Sequence, residues 1–146
     1  METNNHLNSY VTGKKGMVTS AHPLASKAGE RILKMGGNAI DAAIAVQFAL
    51  AVSYPIAGNL GGGGFMIYRT VEGKEYALDF REKAPEKAHR EMFLNKEGEV
   101  IKNKSLYGGL AVGVPGTVDG IFEKFKKFGS LEFDSLINPS ISLAEK

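Results

Sequence analysis

Cysteine is missing from this 146-residue chain. That excludes disulfides and thiolate metal sites, and it leaves redox compartment without a trace in the composition. Histidine is scarce, and His6, His22 and His89 are scattered with none of the spacing a metal site needs. Neither sign of charge dominates. A formal net charge of +2 and a sequence pI near 8.8 are too mild to argue for nucleic acid or an acidic membrane surface. Long apolar runs are also lacking. The most apolar window, residues 39–52, falls short of the roughly 20 residues that span a bilayer, and it carries Asp41 and Gln47. The first ten residues, METNNHLNSY, are polar and lack the apolar centre of a secretory signal.

What is present suits a folded globular protein: 43% hydrophobic and 23% charged residues, too apolar for a disordered chain. Residues 1–15 read as a polar tail and residues 16–146 as one folded portion. The run GMVTSA at 16–21 predicts a short strand. A helical pattern starts at Pro23, which suits a first turn, and places Leu24, Ala28, Ile32 and Met35 on one face. Gly36-Gly37 supplies a left-handed stop. Asn38 then predicts the cap of a second helix, with Asp41 in its first turn where an acid suits the helix dipole. That helix, AIDAAIAVQFALAV, is apolar nearly all round and predicts burial on most sides.

Residues 65–71 and 75–81 are strand candidates joined by Glu72-Gly73-Lys74, with Tyr76, Leu78 and Phe80 on one face. A minor helical turn near residues 90–94 and a turn at Gly98 follow in a polar stretch. Residues 110–114 predict a further strand, residues 117–128 an amphipathic helix stopped by Gly129. The last segment starts another helix, with Asn138 and Pro139 read as its cap and first position. It reaches Lys146 with no stop signal, as expected of a truncated chain.

Five features are weighed for chemistry. The cluster Gly58, Gly61, Gly62, Gly63 and Gly64 invites a phosphate-loop reading, but phosphate loops follow a strand and open a helix. Here the glycines follow a helix and open a strand, which favours close backbone packing. Ser20 and His22 are a candidate nucleophile and base, although two-residue spacing alone does not hold them in contact. Thr117, after Pro115-Gly116, reads as a helix cap. The basic run Lys124, Lys126 and Lys127 reads as the wet face of its helix. Arg81 has two readings. It is either a strand-end cation paired with Asp79 or Glu82, or a fork that grips a substrate carboxylate through two oxygens.

Several words in one order carry a resemblance: AHPLAS, GGNAIDAA, GNLGGGGF, FREKAP and VPGT. From Gly16 to Lys146 the chain resembles the start of the large subunit of γ-glutamyltranspeptidases. The resemblance implies an α+β fold, the four-layer αββα sandwich of the N-terminal-nucleophile hydrolases, present here only in part. It implies movement of a γ-glutamyl group from glutathione or a related amide to water, an amino acid or a peptide. It also implies a precursor that cuts itself to expose a threonine nucleophile in a small subunit, with no required metal or organic cofactor and a periplasmic or extracellular setting. On this resemblance Arg81 binds the α-carboxylate of the γ-glutamyl substrate, and Glu82 is the neighbouring position of the same word. None of Thr3, Thr12, Thr19, Thr70 and Thr117 stands in the family's Thr-Thr-His context, so the chain by itself is expected to be inactive. Two alternatives stand beside this: an acylase of the glutaryl-cephalosporin type, and a non-catalytic carboxylate-binding or interaction module.

Overall fold

The computed structural model describes residues 11–145, so most of the expected polar tail lies outside the described residues. Four helices and one hairpin follow in order: α1 (Pro23–Lys34), α2 (Ala39–Ser53), β1 (Phe65–Arg69), β2 (Glu75–Asp79), a 3-10 turn at Gly109–Ala111, α3 (Thr117–Phe128) and α4 (Phe133–Ala144).

Local chemistry sets the helix ends. Pro23 opens α1, and Gly36 takes a φ of 92° at its close. The Gly37 and Gly36 amides then return to the carbonyls of Ile32 and Leu33, the paired closure that left-handed glycine permits. Asn38 caps α2 in a capping box, its side chain accepting from Ile40 and Asp41 while the Asp41 carboxylate accepts from the Asn38 amide. The same two residues reach across the molecule. Asn38 Nδ2 donates to the Phe128 carbonyl (2.6 Å), and Asp41, fully buried, accepts from the Ser130 amide and hydroxyl. The start of α2 is thereby stapled to the end of α3.

The core gathers around α2, with Ile44, Ala45 and Phe48 against Ile32 of α1, Ile121 of α3 and Leu136 of α4. Tyr68, Tyr76 and Phe128 form an aromatic cluster where the hairpin meets α3, and Phe48, Phe122, Phe125 and Phe133 form a second one between α2, α3 and α4. The strands pair antiparallel with Tyr68 opposite Tyr76 and Met66 opposite Leu78, and Gly73 (φ 82°) turns between them. Their outer face, with Phe65 and Ile67, is exposed.

Three expectations are corrected. Residues 16–21 form no strand: residues 16–19 share a cleft with α2, and the run has no ladder partner among the described residues. Residues 110–114 contribute only part of the 3-10 turn and a single bridge, Lys83 to Val114, because Gly108, Gly109, Gly113 and Pro115 interrupt any longer ladder. Pro139 lies inside α4, whose first residue is Phe133. An interior proline costs about 3 kcal/mol or more. The full burial of Leu136 and the packing of Phe133 and Ile137 on the core offset that cost.

Candidate functional site

The hairpin ends where the backbone is crowded. Phe80 and Gly64 exchange amide-to-carbonyl hydrogen bonds at the root of the two strands (3.0 and 3.3 Å). A side chain at Gly63 or Gly116 would strike the Phe80 carbonyl, and one at Gly120 would strike its ring. Glycines from two separate segments therefore form a collar around Phe80, and the residue that follows is Arg81. Close packing, as read from the sequence, is what the glycine cluster provides.

The polarity of the loop also opposes a phosphate cradle. Gly62, with φ of 72°, turns its carbonyl to the amides of Gly116 (2.8 Å) and Thr117 (3.3 Å), and Gly61 accepts from the Thr117 hydroxyl at 2.7 Å. Carbonyls, not ligand oxygens, meet the start of α3. Thr117 is thus no cap, because Gly116 occupies that position, and it instead ties the helix to the glycine loop. Thr117→Val leaves the Gly61 carbonyl without that donor and is expected to lower stability by about 1–2 kcal/mol, read as a urea midpoint that Thr117→Ser restores.

Arg81 leaves this collar with its amide held by Asp79 Oδ1 (2.9 Å). Its Nε lies 3.4 Å from Glu82 Oε2, and the side chain is 60% exposed. An exposed pair at that distance contributes little to stability. Glu82 is the one carboxylate among the described residues that forms an ion pair with Arg81, and the guanidinium makes no hydrogen bond among them. Arg81 and Glu82 share a cleft of about 530 Å³ with Phe80, Lys83, Val114 and Gly116. Glu82 also borders a second cleft, of about 420 Å³, beside Gly61, Gly62 and Thr117. The arrangement offers a cation with donors to spare, oriented from behind by an acid.

Ser20 and His22 do not form a catalytic pair. The Ser20 hydroxyl bonds the His22 carbonyl and the Ser26 hydroxyl, while His22 Nδ1 accepts the Leu24 amide and caps α1. Lys124 departs from the expected wet face. It is 5% exposed, on the stripe Thr117, Gly120, Ile121 and Lys124 that α3 buries. Spacing of three, four and seven residues was the available signal. Lys126 remains outside with Glu123, and Lys127 lies over the Tyr76 ring.

The family model described as Gamma-glutamyltranspeptidase matches residues 25–146. The chain belongs to the γ-glutamyltranspeptidase family. It is 54% identical over 136 residues to a glutathione hydrolase proenzyme from Pseudomonas sp. (strain A14), covering 93% of this chain and 24% of that relative. It is 40% identical over 142 residues to the acylase ACY 1 proenzyme of Pseudomonas sp. (strain V22), with 93% and 25% covered. Among solved structures, Helicobacter pylori γ-glutamyltranspeptidase superposes with a TM-score of 0.88 at 52% identity, covering 92% of this chain and 39% of that one. This γ-glutamyltranspeptidase-family chain therefore spans about a quarter of the length of the curated relatives it matches. Its helices and hairpin are part of the N-terminal-nucleophile hydrolase fold.

Among the described residues of this family member, no helix is long and apolar enough to cross a membrane.

Proposed function

We propose that this chain is the donor-carboxylate-binding part of an enzyme that moves γ-glutamyl groups from glutathione or a related amide to water, an amino acid or a peptide. The observation that carries this is Arg81. It stands in the word Asp79-Phe80-Arg81-Glu82, at a cleft, half-exposed and paired among the described residues with Glu82 alone. The guanidinium grips the α-carboxylate of the donor with two parallel hydrogen bonds, and Glu82 orients it through Nε.

Bond making and breaking are assigned to another segment. There a threonine hydroxyl adds to the γ-carbonyl, its proton passes to the threonine's own amine and from there to the amide nitrogen, and the C–N bond breaks to release the donor's amine. The resulting γ-glutamyl ester is then resolved by water or an acceptor amine. Holding the donor by its far end lowers the donor concentration needed to fill the site, a contribution to binding that is the same before and during the reaction and so raises kcat/KM without raising kcat.

A γ-glutamyl anilide tests the division of labour. The purified chain is expected to release no aniline, while the complete protein carrying a Thr-Thr-His segment releases it. Turnover by the chain alone would sink the proposal. The 40% identity to an acylase proenzyme supports a second reading, in which a glutaryl amide is the donor and its terminal carboxylate meets Arg81. Competition between glutathione and a glutaryl amide in the complete protein separates the two.

A further inference from the structure

Lys124 is carried by α3 into the interior, and nothing in the proposed chemistry uses it. Its Nζ donates to Gln47 Oε1 at 2.6 Å and lies 5.1 Å from the centre of the Phe80 ring. No Asp or Glu among the described residues is paired with it. Burying an ammonium without a counter-charge is costly, and an amide oxygen with an aromatic face offsets only part of that cost. An ammonium has three donors, of which Gln47 takes one, and the Gln47 amide nitrogen makes no hydrogen bond among the described residues. Both side chains line a cleft of about 420 Å³, walled by Gly63, Gly64, Phe65 and Phe80.

We propose that this cleft is a carboxylate-binding site, with Lys124 as the receiving cation and Gln47 as a second donor. The walls explain the choice of ligand. One monovalent cation and neutral donors between apolar side chains match a single negative charge, whereas phosphate would bring a second charge with no partner. The titration of Lys124 agrees. Burial lowers it from 10.5 to about 8, and neither α2 nor the hairpin brings an ionisable group to bear on it. A bound carboxylate favours the charged form and drives that value back up. The site is independent of the role given to Arg81, and its carboxylate has two possible sources: a free small molecule, or an Asp or Glu side chain from another segment of the protein.

The test follows the Lys124 side-chain signal in lysine-labelled protein by NMR, identified by its loss in Lys124→Arg, which keeps the cation. Sodium acetate is titrated into this chain at constant ionic strength, with sodium chloride as the reference. A saturable shift is expected, with a rise of the Lys124 midpoint by about one to two pH units. Gln47→Glu, which plants a carboxylate beside Nζ, is expected to raise the midpoint without acetate. In the complete protein, a response to acetate identifies a free ligand. A midpoint already raised and insensitive to acetate identifies a docked side chain. A Lys124 signal in this chain that acetate moves no further than chloride does would overturn the proposal, whatever the complete protein shows.

Discussion

Arg81→Lys in the complete enzyme is expected to raise the KM for γ-glutamyl donors about 10- to 100-fold while leaving kcat little changed. Lysine keeps the charge but presents a point donor instead of a planar fork, so one of two charge-assisted hydrogen bonds is lost. Hydrogen bonds to charged groups contribute about 1.5–3 kcal/mol, and each 1.4 kcal/mol is tenfold in affinity. On the proposed reading, the carboxylate gripped by Arg81 is remote from the reacting carbonyl and is bound alike in ground and transition states. Loss of such uniform binding appears in KM and not in kcat. Initial rates over a range of donor concentrations decide the matter. An unchanged KM returns Arg81 to its bland role, a strand-end cation beside Glu82.

The second large effect is structural. Asp41→Ala is expected to destabilise this chain by about 3–5 kcal/mol, because three donors lose their acceptor together. These are the Asn38 amide, the Ser130 amide and the Ser130 hydroxyl. Asp41 is fully buried, so water does not replace the carboxylate cheaply. Asn38→Ala, an ordinary cap deletion with one added long-range bond, is expected to cost about 1–2 kcal/mol. Urea denaturation with fitted m-values checks both. A loss for Asp41→Ala no greater than that for Asn38→Ala would show that the carboxylate acts as a local cap alone. Against typical domain stabilities of about 5–15 kcal/mol, the expected loss is a large share.

What was legible in the sequence was mostly local. Pro23, Gly36-Gly37, Asn38 and Gly129 mark helix ends because caps and stops are satisfied within a few residues. The hairpin was legible because Gly73 and the alternation Tyr76, Leu78 determine turn and face together. Contacts between distant segments left weaker marks. Nothing near Thr117 announces that its hydroxyl will meet Gly61, and nothing near Asp41 announces Ser130. Strand expectations at 16–21 and 110–114 failed for a related reason, since a strand needs a partner and neither run has a ladder here. Lys124 is a different case. Its charge argued for solvent, while its position on the stripe through Gly120 and Ile121 argued for the interior, and position prevailed. For Arg81 residue chemistry left two roles open, and its place in a family word favoured one.

Helix α2 is apolar nearly all round and buried by neighbours on several sides. That surface has a consequence for the order in which the protein is made. A ribosome adds about 5–20 residues per second, so α2 leaves the exit tunnel several seconds before α3 and α4 exist to cover it. Its capping box closes locally and can set the helix early, but the Ser130 partner of Asp41 arrives late. In that interval α1 is the one helix among the described residues already made that can cover it, and the faces that later meet Ile121 and Leu136 stand bare. The nascent chain is at its stickiest then, and slow translation through residues 54–130 would lengthen its exposure to chaperones and to other nascent chains alike.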